Sequence, residues 1–256
     1  MSKKIALIAF ATVCLLLVGI YVEAHVYQTR AERLFRRVST LQVGESTGAD
    51  AERLAQSYAP DVISREGNCD QRCYFEIALV SRWYWRRFDW PILRHIGVRP
   101  ARADVYVSVN NNRISRWGFG VSYKTSPGHW LDVTTSSIED FSPYGRCTNP
   151  SLLHHPNYAV RQGTITTIGG GETLRVAVKQ KATNEERSHA RRINFGCLTQ
   201  VPDCESLGDV MPDAYSDFLS DRKWESANPS AGSFMQTCLR ELSERFGPPP
   251  WNQSSF

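Results

Sequence analysis

The stretch of sequence that decides the fold is residues 105–123, VYVSVNNNRISRWGFGVSY. The valines at 105, 107 and 109 alternate with other residues, which is the period of a strand that buries one face. Three asparagines follow at 110–112, and asparagine tolerates the positive φ of a tight turn. The alternation resumes after the turn and continues to Tyr123. The stretch therefore predicts a β-hairpin within an antiparallel sheet.

Further strands are predicted after this hairpin. Residues 130–135 have the composition of a third strand. Residues 160–168 and 173–178 flank three glycines at 169–171, so they predict a second hairpin whose glycines supply positive φ. Residues 138–157 are interrupted by prolines and glycines and predict a long excursion between the strands.

Helical patterns lie on both sides of the strands. Apolar residues recur at helical spacing across 24–41, at Ala31, Leu34, Phe35, Val38 and Leu41. A shorter helix ends before Pro60, and another begins at Pro212, a residue that suits the first helical position. The chain has no internal repeat and no low-complexity linker. We therefore expect one α+β domain, residues 25–256, with helices packed on an antiparallel sheet and stabilised by disulfides.

Residues 69–89 predict a third helix with two apolar sides. One narrow stripe would face the core, and it comprises Cys73, Ile77, Val80, Tyr84 and Phe88. A second row mixes apolar residues with arginines and is a candidate partner surface, formed by Phe75, Leu79, Arg82, Trp83, Arg86 and Arg87. Such residues can bind a partner, or they can pack internally with arginine–aromatic stacking, and we favour packing.

The N-terminus carries an apolar segment. Residues 5–22 contain no charge and follow two lysines. As a helix they would span roughly 27 Å, which is at the lower edge of what crosses a bilayer core. Residues 1–24 therefore predict either a retained transmembrane anchor or a signal segment cleaved after Ala24. The run is long for a cleaved signal, which favours the anchor.

The cysteines indicate the compartment. One of the seven, Cys14, lies in the apolar segment, and the other six are disulfide candidates: Cys69, Cys73, Cys147, Cys197, Cys204 and Cys238. An even number of cysteines behind an export-type segment is typical of an oxidising compartment. The close spacing of Cys197 and Cys204 favours a local bridge. Zinc is the alternative, but the sequence has no C-x-x-C and no histidine at finger-like spacing.

The charges near the apolar segment point the other way. Arg30, Arg33, Arg36 and Arg37 lie just beyond it and outnumber the two lysines in front. A Lys/Arg count alone would therefore place the large domain in the cytoplasm. We give the cysteines more weight and expect an extracytoplasmic domain.

The chain carries no recognisable catalytic motif. A nucleophile elbow, a zincin helix, a Walker loop and a dinucleotide-binding fingerprint are all missing from the sequence. His154 and His155 could bind a metal, but adjacent residues rarely aim at one ion unless the backbone bends, so an exposed loop is our interpretation. His129 and Asp132 could form an acid–base pair. We assign no catalytic residue, metal ligand or cofactor and favour a protein that is not an enzyme.

The net charge of +4 is too small to predict a nucleic-acid partner. The export segment, the cysteines and the missing motifs together predict a membrane-tethered extracytoplasmic binding or structural domain of a cell envelope. It would be single-pass, contact the membrane through residues 5–22 and bind an envelope protein, or be secreted or periplasmic if the leader is cleaved. The alternative is an envelope hydrolase or other enzyme whose site is assembled from distant residues, around His129 or His154.

Overall fold

The computed structural model describes residues 3–81, 98–126, 129–149, 151–165, 170–199, 204–228 and 230–246. A seven-stranded sheet forms its centre, with the strand order β1-β2-β3-β4-β5-β7-β6. The strands are β1 (Val62–Asn68), β2 (Arg72–Val80), β3 (Ala101–Asn110), β4 (Arg113–Ser126), β5 (His129–Ile138), β6 (Tyr158–Ile165) and β7 (Gly171–Lys179). The α-helices of the described residues are α1 (Lys3–Ser39), α2 (Gly48–Ser57), α3 (Pro143–Thr148), α4 (Ser151–His154), α5 (Asn184–Arg191), α6 (Leu207–Val210), α7 (Pro212–Ala227) and α8 (Ser230–Phe246). In the same described ranges, 3₁₀ helices span Ala59–Asp61 and Phe195–Leu198.

The hairpin predicted from residues 105–123 is confirmed. Strands β3 and β4 pair antiparallel, with Val107 opposite Trp117. Asn111 and Asn112 have φ of 50° and 57°, so both central turn residues are left-handed, as the commonest two-residue hairpin turn requires. The predicted third strand is confirmed as β5, which pairs antiparallel with β4.

The sheet is mixed, and this corrects the purely antiparallel sheet that we expected. Strand β7 pairs parallel with β5 and antiparallel with β6. After β5, the excursion with α3 and α4 leads the chain to the edge of the sheet and leaves one strand position next to β5 unfilled. At that edge the chain forms β6, and β7, the second strand of the hairpin, fills the position between β5 and β6. Strand β7 therefore runs in the same direction as β5.

The predicted helix over 69–89 is wrong for the residues that the structure describes. Residues 72–80 form β2, which lies between β1 and β3 in antiparallel pairing. A helix would separate Cys73 and Ile77 from Phe75 and Leu79, but a strand places all four on one face, and all four are buried. The two-residue period of a strand therefore places both predicted apolar rows on the same buried face of β2. Residues 82–89 lie outside the described residues.

Helices and sheet share one main core. The predicted helix over 24–41 is confirmed as the second half of α1, whose apolar stripe is buried at Ala31, Leu34, Phe35 and Val38. Phe35 packs on Phe119 of β4 and on Phe195, with ring centroids 4.9 and 5.6 Å away. The buried indole N–H of Trp117 donates to the carbonyl of Leu41 at 2.9 Å. The end of α1 is therefore fixed to the middle of the sheet.

The six cysteines outside the apolar segment form three pairs. Cys69 pairs with Cys73 across the turn between β1 and β2, and the Cα atoms are 4.7 Å apart. Cys147 of α3 pairs with Cys238 of α8, and Cys197 pairs with Cys204, as their spacing suggests. Cys14 is exposed and free. The disulfides close local loops and tie α8 to the excursion.

Candidate functional site

A cluster of histidines and carboxylates forms at one edge of the sheet, where the excursion meets α7. Helix α4 ends at His154, and His155 follows outside the helix before β6 begins. The helical conformation ends between these two residues, and their ring centroids are 4.3 Å apart. Adjacent histidines at a helix end can therefore face a common ligand.

Both histidines face Asp221 of α7. The Nδ1 atom of His154 is 3.6 Å from Oδ1 of Asp221, and Nε2 of His155 is 3.9 Å from the same oxygen. One ligating atom from each of the three residues can be chosen so that all lie within 4.8 Å of one another. The three side chains converge on one small volume.

The Asp221 carboxylate is buried, with a side chain that is 5% exposed. Its second oxygen, Oδ2, accepts no hydrogen bond from any residue that the structure describes. Burial raises the pKa of Asp221, and the neighbouring histidines oppose that rise. A buried carboxylate oxygen without a donor is unfavourable, so a hydrogen-bond donor or a cation at this oxygen would stabilise the group.

A second hydrogen-bonded group lies one helical turn earlier on α7. Asp217 accepts the Tyr158 hydroxyl at 2.9 Å through Oδ2, and the same oxygen is 2.8 Å from Nδ1 of His189 on α5. The hydrogen bond that His189 donates to Asp217 raises the pKa of His189. Burial, together with the Asp217 charge, raises the pKa of Tyr158. The group holds α5, β6 and α7 together around the cluster.

Two further side chains orient the histidines. The Trp224 ring stacks on His154 with an interplanar angle of 4° and a centroid distance of 5.5 Å. Glu186 of α5 places Oε1 3.9 Å from Nδ1 of His155, while its other oxygen accepts the backbone N–H of Thr183. The capping bond holds Glu186 in place, so its free oxygen faces the ring of His155.

The structure places His129 and Asp132 apart. His129 and Asp132 lie three positions apart on β5, which places them on opposite faces of the sheet. Asp132 instead accepts the hydroxyl of Ser122 at 3.2 Å, and burial raises its pKa. The acid–base pair that we considered therefore does not form.

Two residues of the candidate partner surface lie in the core of the domain. Phe75 and Leu79 are 1% exposed and belong to the main core, because residues 72–80 are a central strand and not a helix. Their burial agrees with the internal packing that we favoured over a binding surface. The remaining members, Arg82, Trp83, Arg86 and Arg87, lie outside the described residues.

The acidic partners of the histidines were not predicted from the sequence. Asp213, Asp217 and Asp221 recur every four residues along α7, followed by Glu225, so they share one helix face. That spacing, in a segment already predicted to be helical from Pro212, was the available signal. The contact between this helix face and His154 could not be predicted, because the two helices are distant in sequence.

No family model, curated protein or solved structure matches the chain.

Proposed function

We propose that this chain is a membrane-tethered binding or structural module of a cell envelope, with its disulfide-bonded domain on the extracytoplasmic side. The observation that carries the proposal is the single continuous helix α1. Its first half is apolar and exposed, and its second half is part of the domain core. Such a helix would attach the domain to a membrane without a flexible linker.

The transition along α1 supports this arrangement. Among the described residues, α1 is the helix long and apolar enough to cross a membrane. Large apolar residues stay exposed up to Val22 and Val26, and the buried stripe begins at Ala31. Ala31 lies nine positions after Val22 along the helix, a rise of about 14 Å. The domain would therefore sit directly above the lipid headgroups.

A retained anchor fits the structure better than a cleaved signal. Ala24 lies in the middle of α1, and no helix end occurs there. Cleavage after Ala24 would need this part of the helix to unwind into the extended form that proteases bind. The three cysteine pairs support an oxidising compartment for the domain, since cytosolic thiols are kept reduced.

Topology reporters test the proposal. Alkaline phosphatase, which is active only when exported, and green fluorescent protein, which fluoresces when it folds in the cytosol, are each fused behind Phe256. We expect active phosphatase, dark green fluorescent protein, and a fusion that stays in the membrane pellet after alkaline carbonate. A fluorescent fusion would overturn the orientation. A soluble product that starts at His25 would show a cleaved leader.

An envelope protein is the partner that we propose for this module. Photo-activated crosslinkers placed at exposed positions of the domain would capture such a partner in intact cells. Recovery of one envelope protein from several positions on one face would support the binding role. If no position on any face gives a crosslink, a structural role would be favoured over a binding role.

An envelope hydrolase is the second candidate. The favouring observation is that the His154, His155 and Asp221 cluster lies beside the Tyr158–Asp217 hydrogen bond, so titratable groups from distant segments converge. Chromogenic esters, phosphate esters and peptides would be offered to the full chain. Hydrolysis that disappears in Asp221→Asn would favour the enzyme, and equal rates in both proteins would exclude this site as its centre.

A further inference from the structure

We propose that His154, His155 and Asp221 form a binding site for one divalent transition-metal ion, and that Zn²⁺ is the ion it suits best. This inference concerns the domain alone and does not depend on the proposed membrane topology. It replaces our sequence-based interpretation of the two histidines as an exposed loop. The ligands would be Nδ1 of His154, Nε2 of His155 and a carboxylate oxygen of Asp221.

Two of the three distances between the ligating atoms are close to those of a zinc site, and all three atoms lie within 4.8 Å of one another. Zinc binds histidine nitrogen and carboxylate oxygen at about 2.0–2.2 Å with tetrahedral geometry, so two ligating atoms lie about 3.3–3.5 Å apart. The two histidine nitrogens are 3.6 and 3.9 Å from Oδ1 of Asp221. These separations exceed hydrogen-bond distance and lie within a few tenths of an ångström of a zinc site. Small side-chain adjustments would close them around an ion.

The burial of Asp221 is an independent observation that points to a cation. Its side chain is 95% buried, and Oδ1 faces both histidines. Oδ2 has no hydrogen-bond donor among the described residues. Native proteins rarely leave a buried carboxylate oxygen in this state, because its desolvation is not repaid. A bound divalent cation would supply the missing charge.

The surroundings match those of a metal-bound histidine. A ligating histidine usually directs its other ring nitrogen at a carboxylate, a backbone carbonyl or water, which fixes the ring and raises its basicity. His155 directs Nε2 at Asp221 and Nδ1 at Glu186, which is 3.9 Å away. The His154 ring is held differently, by stacking on Trp224. Each imidazole therefore has a residue that orients it towards the ion.

The donor set selects the class of ion and leaves room for a further ligand. Two imidazoles and one carboxylate suit zinc and its transition-metal neighbours, whereas Ca²⁺ and Mg²⁺ prefer oxygen donors throughout. Three protein ligands leave the fourth zinc position open. The His154 and His155 side chains are 49% and 37% exposed, so water or a small anion can reach that position.

Metal binding by the full chain in detergent tests the proposal. After removal of metals with EDTA, isothermal titration with Zn²⁺ should show one tight equivalent, and the unfolding temperature should rise with the Zn²⁺ concentration. Asp221→Asn keeps the side-chain shape and should weaken binding by more than the about 10–100-fold that losing an outer-shell partner costs. Co²⁺ should give the intense visible absorption of a four-coordinate site in the wild type and lose it in the variant.

Asp213→Asn is the matched control. It makes the same change of charge on the same helix, two turns and about 12 Å from Asp221, where salt screens the interaction. We expect it to change the Zn²⁺ affinity by less than about threefold. Equal Zn²⁺ affinity in the wild type and Asp221→Asn would overturn the site, and so would an equal loss in Asp213→Asn. Tryptophan fluorescence of each variant would verify folding before titration.

Discussion

We expect Leu34→Ala to destabilise the domain and Leu15→Ala to leave its stability unchanged, although both leucines lie on α1. Leu34 is 0% exposed and packs in the main core, whereas Leu15 is 73% exposed in the apolar half of the helix. Truncating a fully buried leucine costs about 3–5 kcal/mol, since it removes buried methyl groups and leaves a cavity. No cavity arises at Leu15.

The expected effect is large enough to measure by thermal unfolding. One kcal/mol corresponds to about 2–4 °C in the unfolding temperature of a domain of this size, so Leu34→Ala should lower that temperature by at least about 6 °C. The assay follows the tryptophan fluorescence of the full chain in detergent, where the buried Trp117 reports on the core. Leu15→Ala should unfold with the wild type. Equal melting of all three proteins would refute the inference that α1 is part of the core.

Three further substitutions test local features of the fold. Gly48→Ala should destabilise the protein by at least about 1 kcal/mol, although alanine favours helices, because the new Cβ would lie 2.0 Å from the carbonyl oxygen of Cys69. Chemical denaturation measures this free energy, and a stabilised variant would contradict the geometry. His189→Asn should reduce the loss of stability that the wild type shows as pH rises above about 6.5. Asp217 raises the pKa of His189 in the folded state, so this stabilisation is complete below the unfolded pKa and is lost as pH rises through the folded pKa. The same dependence of unfolding temperature on pH in both proteins would argue against it. Trp117→Phe should cost about 1–3 kcal/mol because it leaves a buried backbone carbonyl without its donor, and unchanged urea unfolding would show that this hydrogen bond is not needed.

Local signals made part of the fold predictable. The alternating valines and the asparagine turn of residues 105–123 specify a hairpin without help from distant residues, and the structure has that hairpin. The apolar stripe of α1 from Ala31 to Val38 was equally clear, because helical spacing continued over several turns. In both segments the buried face could be identified from periodicity alone.

The errors arose where local pattern is ambiguous or where pairing is non-local. Cys73 and Ile77 satisfy both helical and strand periods, and the choice depends on β1 and β3 lying on either side. The parallel pairing of β5 with β7 depends on where the excursion crosses the sheet, which no short motif encodes. The cluster at Asp221 has the same origin. His154 and His155 belong to the excursion and Asp221 to α7, and these segments meet only in the folded domain.

The intact mass of the chain taken from its native membrane tests the account most directly. The protein is denatured and alkylated without prior reduction, so each free thiol gains one alkyl group. We predict the mass of the whole chain with three disulfides and one alkyl group, on Cys14, because the helix is retained and the other six cysteines are paired. Seven alkyl groups would place the domain in a reducing compartment, and a mass beginning at His25 would show that the anchor had been removed.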